Sequence, residues 1–266
     1  VPASRASGVD LRNPGSLRRA VRESSPDAVI CAGGVIASDE AAADPAECLG
    51  TNVTGFSNLV EAISGRDCHL TLISTAAVYG PSPKVLSEAS PTEPGSIYGA
   101  SKLAAEKICD WQAGTGRPVC VLRVFNLVGP GQGPRQVPGE FARAAANGYR
   151  DGKTETIQKV RNPEIRRDFT DVRDAGRAVA GAVTGELTGT FNLCSGRAES
   201  LTGLARLTGD AIPGDFRLEL DGSLDPRSAD PGVICGDPSK LRSATGWSPR
   251  LTLDQSMRDL VDELLA

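Results

Sequence analysis

The chain has 266 residues, enough to bury a sizeable core as one large or two interleaved domains. Its hydrophobic content of 39% and charged content of 23% are ordinary for a soluble globular protein. A net charge of -4 gives no electrostatic footprint for nucleic acid, and no apolar run approaches the roughly 18 residues of a membrane span.

Residues 1–7 are small and polar and read as disordered. Gly8-Val9-Asp10-Leu11-Arg12 reads as the end of a short strand, with Asp10 alternatively a turn residue ahead of Asn13-Pro14-Gly15. Ser16 reads as the N-cap of a helix with Leu17, Ala20 and Val21 as its apolar stripe. Asp27 to Gly34 reads as a buried parallel strand ending in small residues, and such an end lets a ligand approach the backbone. Residues 45–64 read as one long helix, with Leu49, Val53, Phe56, Leu59, Val60 and Ile63 near helical spacing. Asn52 inside it is either solvated or has a structural task, because a mid-helix Asn is mildly unfavourable.

His69 to Ser74 is the next predicted strand. It delivers Thr75 to its C-terminal end, the ligand side of an open α/β sheet. Helix 97–114 follows and carries Tyr98 and Lys102. Their spacing of four stacks phenol and ammonium on one helix face, about one turn apart. A free phenol has a pKa of about 10, and a neighbouring cation favours phenolate, so the pair reads as a proton donor tuned downward. A hydroxyl at Thr75 would hold a substrate oxygen for it. The grouping suits proton transfer to or from a carbonyl or alcohol oxygen, with hydride moving elsewhere. The same spacing is also common on helices that do no chemistry.

Val119 to Phe125 reads as a strand leading into Asn126-Leu127-Val128-Gly129-Pro130-Gly131. A helix begins at Pro134–Pro138 and runs to about Ala146, and a looser charged segment follows. Arg167 stands near Asp168 and Asp171 and reads as a surface salt-bridge partner or an anion ligand. Asp171 to Thr184 is a predicted helix with Val172, Ala175, Val179 and Val183 inward. Gly189 to Gly196 is a last sheet strand with its turn. Residues 200–266 hold short helices, the possible strand Phe216–Leu220, and a terminal amphipathic helix with Leu253, Met257, Leu260, Val261 and Leu264. Strands alternating with helices argue for an α/β, doubly wound parallel sheet.

Seven cysteines at 31, 48, 68, 109, 120, 194 and 235 form no Cys-x-x-Cys pair and are odd in number, so they read as reduced cytoplasmic thiols, mostly core. His69 is the only histidine and opens an apolar run; it reads as a core or strand-edge residue, and no His-based metal site is expected. The only methionine is Met257 and the chain begins Val1-Pro2-Ala3, so the sequence reads as a fragment, a processed product or the product of a non-standard start.

Three stretches are specific in combination: Ser74-Thr75-Ala76-Ala77-Val78-Tyr79-Gly80, Tyr98-Gly99-Ala100-Ser101-Lys102, and Arg123-Val124-Phe125-Asn126-Leu127-Val128-Gly129-Pro130. They resemble the extended short-chain dehydrogenase/reductases that act on nucleotide-linked sugars, and the resemblance covers nearly all of the chain. It implies a Rossmann-like dinucleotide-binding domain in 1–126 and 168–196, with a small α+β substrate-binding region in 127–167 and 197–266. It implies NAD or NADP as cofactor, contacted by Asp10, Leu11, Ala32, Gly33, Gly34, Asn52, Tyr98 and Lys102. Thr75, Tyr98 and Lys102 take the family's catalytic positions. Thr75, Asn126 and Arg167 take its substrate positions, with Arg167 reaching the diphosphate of a nucleotide-diphosphate sugar. Cys31-Ala32-Gly33-Gly34 stands where the family usually has His-x-Ala-Ala or His-x-Ala-Gly. Helices 45–64 and 97–114 are those the family uses in a homodimer contact.

The family normally opens with a strand, Gly-x-x-Gly-x-x-Gly and a helix, and this motif does not occur here. The sheet is therefore expected to be N-terminally incomplete, by roughly 50 residues, leaving the strand at 27–32 with an exposed edge. Within the family, Arg167 to Asp174, Phe191 to Gly196 and Gly236 to Leu241 most resemble GDP-6-deoxy-D-mannose reductases. That implies reduction of a nucleotide-linked 4-keto-6-deoxy sugar: Tyr98 protonates the C4 oxygen, Thr75 hydrogen-bonds it, and Lys102 lowers the Tyr98 pKa and holds the nicotinamide ribose. A nucleotide-sugar 4-epimerase with the same residues is the alternative, and a truncated, non-catalytic relative that binds sugar nucleotide is the second. A dehydratase is disfavoured, because Ala76-Ala77 after Thr75 offers no acid or base.

Overall fold

The computed structural model describes residues 4–36, 38–80, 82, 84–221 and 232–266. The fold is mixed α/β with a parallel central sheet. Backbone proximity divides it into two compact units, one of Val1–Gly80, Glu88–Val124 and Val179–Phe191, the other of Pro81–Ser87, Phe125–Ala178 and Asn192–Ala266. The elements in chain order begin with a 3-10 turn at Arg5–Ser7, α1 (Pro14–Ser24), β1 (Ala28–Cys31), α2 (Ser38–Ala43) and α3 (Pro45–Leu49). A π-helical turn, Gly50–Gly55, joins α3 to α4 (Phe56–Ala62). Then come β2 (His69–Thr75), a 3-10 turn at Ala76–Val78, α5 (Ile97–Gly114), β3 (Val119–Val124), β4 (Asn126–Val128) and α6 (Val137–Arg150). The remainder is β5 (Glu155–Val160), β6 (Arg166–Asp171), α7 (Val172–Thr184), β7 (Gly189–Leu193), β8 (Ala198–Ser200), α8 (Leu201–Asp210), β9 (Asp215–Leu220), β10 (Val233–Ile234), α9 (Ser239–Thr245) and α10 (Leu253–Leu265).

In the first unit the sheet runs in the order β1-β2-β3-β7. β1 and β2 pair in parallel with Ala28 opposite His69, and β2 and β3 with Leu70 opposite Val119. Leu17 and Val21 of α1, Phe56, Leu59 and Val60 of α4, and Ala105 and Cys109 of α5 close over Leu70, Leu72, Val119 and Val121 of the sheet. Burying each large apolar side chain contributes about 1.5–3 kcal/mol. His69 is buried, as its place in an apolar run predicts, and its Nε2 lies 2.8 Å from the Leu187 carbonyl oxygen.

In the second unit β4 and β10 flank β6 in parallel, while β8 pairs with β6 antiparallel. β5 and β9 form a separate two-stranded parallel ribbon. Phe141, Leu204, Met257, Leu260 and Val261 make the core under α6, α8 and α10. The Phe141 and Phe216 rings meet at 5.5 Å between centroids, tilted by 51°. Among the described residues, no helix is long and apolar enough to cross a membrane.

Several local expectations need correction. Arg5–Ser7 is wound as a 3-10 turn, closed by Ser4 and Ser7, where disorder is expected; residues 1–3 lie outside the described residues. Gly8–Arg12 is a turn and not a strand end: the Arg12 N–H donates to Asp10 Oδ1 at 2.9 Å, and the Asn13 N–H to the Asp10 carbonyl at 2.9 Å. The cap of α1 is Asn13, whose side chain accepts from the Ser16 N–H, and Pro14 at the first helical position needs no partner for a missing N–H. β1 is shorter than its apolar run, and only its last residue, Cys31, is buried. This strand ends the strand order of the sheet, so Ile30 is 46% exposed.

The long helix at 45–64 is interrupted by the π-turn that contains Asn52, and Leu49 is exposed. In α7 the inward face is Asp174, Ala175, Ala178 and Ala182, whereas Val172 faces out. The charged segment after α6 contains β5, which pairs with a strand about sixty residues further on.

Candidate active site

β2 carries Thr75 to its C-terminal end, with Thr75 opposite Val124 of β3. Thr75 also caps the following 3-10 turn, accepting a hydrogen bond from the Ala77 N–H at 3.2 Å. α5 starts at Ile97 because Ser96 accepts from the Gly99 N–H at 3.1 Å, which satisfies one of the helix's open donors. That start places Tyr98 in the first turn and Lys102 one turn later. Gly99 has to be glycine: a Cβ would run into the Ala77 carbonyl oxygen and stand 2.9 Å from Pro94 Cβ. The missing side chain lets the helix lie against the turn that follows Thr75. That brings the Tyr98 phenol near the Thr75 side chain, which draws its pKa down.

Lys102 is 7% exposed. Burial pushes its pKa down, while Cys31, Cys109, Glu106 and Cys48 act against that. Burial pushes the Tyr98 phenol up, and Thr75 lowers it only in part. The downward tuning by Lys102 expected from the spacing is therefore not what the fold delivers. Loss of water around the ring outweighs the favourable contacts, and the raised phenol holds its proton.

Asp10, Leu11, Gly33 and Gly34 line one cavity of about 650 Å³ at the C-terminal end of β1, with Val35 and Glu47 among the other walls. Ala32 is exposed beside it. Leu11 packs against Gly33, where a Cβ would stand 3.4 Å from Leu11 Cδ1. The cavity combines a carboxylate acceptor, an apolar wall and backbone open to close approach, which fits the adenosine end of a dinucleotide.

Asn52 does not line this cavity; it braces it. Its Oδ1 accepts from the Val35 N–H at 2.8 Å, and its Nδ2 donates to the Val35 carbonyl at 2.9 Å and to Ser101 Oγ at 2.9 Å. Ser101 in turn donates to the Tyr98 carbonyl at 2.7 Å. One buried chain of hydrogen bonds thus joins the cavity wall to the first turn of α5. Ser101 carries no signal of this role beyond its place next to Lys102.

A second buried network, also missed in the sequence, flanks Thr75. Ser74 Oγ donates to Glu106 Oε1 at 2.5 Å, and Arg123 pairs with Glu106, its Nη2 at 2.7 Å from Oε2. Arg123 Nη1 also donates to the Tyr79 hydroxyl at 3.0 Å.

In the second unit, Asn126 and Arg167 lie on adjacent paired strands, with Asn126 opposite Phe169 and so two residues along from Arg167. The Arg167 side chain donates to the Arg166 carbonyl at 2.9 Å. Asp168 beside it is fully buried and accepts from the Ser195 N–H and hydroxyl, the Gly196 N–H and the Gly236 N–H. Asp171 binds Arg173 and Ser256. All seven cysteines are free thiols, and six of them are buried.

Thr75 and Tyr98, both half-buried, and the buried Lys102 gather at the C-terminal edge of a parallel sheet, where a hydroxyl, a phenol and an ammonium have the chemistry to move a proton at a carbonyl or alcohol oxygen. Residues 3–194 match the NAD dependent epimerase/dehydratase family, and the chain belongs to that family. It is 34% identical to the GDP-6-deoxy-D-mannose reductase of Pseudomonas aeruginosa, over 96% of this chain and 85% of the relative. Its fold matches the structure of RMD from Pseudomonas aeruginosa complexed with NADPH at a TM-score of 0.89 and 32% identity, covering 100% of this chain and 87% of that one. It also matches the UDP-glucose 4-epimerase of Thermus thermophilus in complex with NAD at a TM-score of 0.85 and 27% identity, over 96% of this chain and 83% of that one. These relatives are nucleotide-sugar reductase and epimerase enzymes, and the family is NAD(P)-dependent.

Proposed function

We propose that the chain reduces a nucleotide-linked 4-keto-6-deoxy sugar, using Thr75, Tyr98 and Lys102. The observation that carries this reading is the placement of Tyr98 in the first turn of α5, which the Ser96 cap and Gly99 set against the turn after Thr75, with Lys102 one turn further on. A reduction needs a proton donor at the new alcohol oxygen, and a phenol with a raised pKa arrives with its proton in place. Thr75 orients the C4 oxygen toward Tyr98. Lys102 supplies positive charge beside the site and binds ribose hydroxyls. NAD(P)H, when bound, supplies the hydride. Asp10, Leu11, Gly33 and Gly34 would hold its adenosine end, with Ala32 at the rim, while Asn52 acts through Val35 and Ser101. Asn126 would bind the sugar and Arg167 the diphosphate, where guanidinium geometry suits phosphate oxygens. The dinucleotide-binding domain is then 1–126 with 168–196, and the substrate region 127–167 with 197–266.

The 34% identity to a GDP-6-deoxy-D-mannose reductase supports the same reading. The 4-epimerase alternative rests on the UDP-glucose 4-epimerase likeness. An epimerase must first take a proton from an alcohol, which a phenol held protonated does less readily. We also propose a homodimer of a cytoplasmic protein, paired through the helices at 45–64 and 97–114. Leu49, Ile97 and Trp111, 41%, 38% and 65% exposed, lie on them.

The test is to mix the protein with GDP-4-keto-6-deoxy-D-mannose and NADPH or NADH and follow absorbance at 340 nm. Stoichiometric loss of the reduced cofactor with formation of the 6-deoxy sugar supports the reductase. Interconversion of 4-epimers by NMR without net cofactor consumption would make it an epimerase. Sugar-nucleotide binding without either reaction would leave the non-catalytic reading.

A further inference from the structure

Thr75 is held from both sides by a single buried ion pair. Ser74, the residue before it, donates to Glu106 at 2.5 Å. Ser74 is also the cross-strand neighbour of Arg123, and Arg123 grips the same carboxylate through Nε and Nη2, at 3.1 and 2.7 Å from its two oxygens. The other end of the guanidinium reaches the Tyr79 hydroxyl at 3.0 Å, just after the 3-10 turn that Thr75 caps. The side chains of Glu106 and Arg123 are only 4% and 9% exposed. Glu106 lies on α5 two turns beyond Tyr98 and one beyond Lys102, so its face is the one that carries both.

We propose that Glu106 is a positioning residue: through Ser74 and through Arg123–Tyr79 it fixes the strand end and turn that bring Thr75 to Tyr98. This rests on the reading that Thr75 and Tyr98 handle the substrate oxygen. An ion pair in the interior adds little stability over a well-packed apolar group, because both charges lose their water. What it provides is direction. Here one carboxylate is committed to two neighbouring strands, through Ser74 beside Thr75 and through Arg123 opposite Ser74. A merely structural Glu106 would affect melting temperature but leave the Thr75–Tyr98 contact unchanged.

The chain has three tyrosines, Tyr79, Tyr98 and Tyr149, so a 13Cζ-tyrosine NMR titration reads Tyr98 directly, assigned with Tyr98→Phe. The groups that act on the Tyr98 phenol are Thr75 from β2 and Cys48 from α3, while Lys102 lies one turn further along its own helix. Thr75→Val is expected to raise the Tyr98 titration by about 0.5–1 pH unit, the size of one net hydrogen bond. Ser74→Ala, which strands no charge, moves it in the same direction, and Ser74→Thr leaves it at the wild-type value. Glu106→Gln follows Ser74→Ala; should that variant not fold, Ser74→Ala carries the test. Ser74→Ala titrating like wild type while Thr75→Val shifts would overturn the positioning role and leave the functional reading intact. No shift in Thr75→Val would remove the Thr75–Tyr98 contact, and with it both the positioning role and the catalytic reading.

Discussion

Gly34 and Asn52 touch across the end of β1: a Cβ on residue 34 would stand 2.6 Å from Asn52 Oδ1, and Gly34 has φ of +153°. The carboxamide can bond both polar groups of Val35 because residue 34 has no side chain. Gly34→Ala is therefore expected to cost about 1–3 kcal/mol in strain. It should also weaken NAD(P) binding, because Val35 lines the cavity. Gly50→Ala is the control. Gly50 has helical φ and ψ of -58° and -40° and open space around its Cα, so that change should be neutral or stabilising. Equal melting temperatures for the two variants would refute the argument.

If Tyr98 donates the proton in the proposed reduction, its raised pKa predicts a rate that holds across neutral pH. Activity should decline only as pH rises through the folded value, above the ordinary 10, where the proton donor is lost. Tyr98→Phe should lower kcat about 10²–10⁴-fold with cofactor affinity retained. A pH profile with a descending limb near pH 7 would assign the proton to another group.

Asp168 predicts a pH dependence of stability with an unusual sign. Burial raises its carboxyl above the ordinary 3.8, against the opposing hydrogen bonds from Ser195, Gly236 and Gly196. Between the unfolded and the folded value, the native state holds a proton that the unfolded chain has released. This group's contribution therefore falls as pH rises through that window and is level above it. Asp171, Asp237 and Asp254 have folded values below the ordinary one; their contributions are present above pH 3.8 and are lost as pH falls through those folded values. The Asp168 effect must hence be read as the difference from Asp168→Asn in melts from pH 3.5 to 6. At neutral pH that variant should be about 1–3 kcal/mol less stable, because an amide N–H₂ would face donors.

The thiols should be sluggish. Burial and the neighbouring Asp168 push Cys235 up to about 11, and burial raises Cys31, Cys68 and Cys109. Against a free thiol near 8.5, Cys235 should alkylate about 10²-fold more slowly at pH 8. Mass spectrometry after timed iodoacetamide exposure measures this. Rapid labelling of native Cys31 or Cys109 would contradict the buried placement of Lys102's surroundings.

For the homodimer, Trp111→Glu puts a charge on the exposed face of α5 without touching Tyr98 or Lys102. Light scattering should report a dimer for the parent chain and a monomer for the variant, with the melting curve of the monomer still cooperative. A monomeric parent chain refutes the pairing.

The parts legible in the sequence were those encoded locally. The spacing of Tyr98 and Lys102 and the apolar run before Thr75 fix α5 and β2 within one stretch of chain, and the structure has both where the sequence places them. What was hidden depends on distant partners. β5 is paired with β9 alone, and its β-branched Thr156, Ile157 and Val160 stand in no alternating pattern that would mark a strand. Ile30 belongs to an apolar run like any buried strand; the missing glycine motif, not the run itself, signals the edge position that the strand order shows. The direction of the Tyr98 pKa was misread for a similar reason. Spacing gives the neighbouring cation, whereas the loss of water comes from the packing of the whole unit. Ser101 and Glu106 escaped notice because their partners, Asn52, Ser74 and Arg123, come from three other elements.

The π-turn at Gly50–Gly55 shifts the phase of the helix that contains it. Before the shift, α3 and the turn itself face α5; after it, α4 faces α1. Removing one residue from 50–55 would rotate everything beyond it by about 100° relative to what precedes it. Such a deletion would trade a brace for a straight helix. Length variation within this helix should therefore be less tolerated than variation of any single side chain along it.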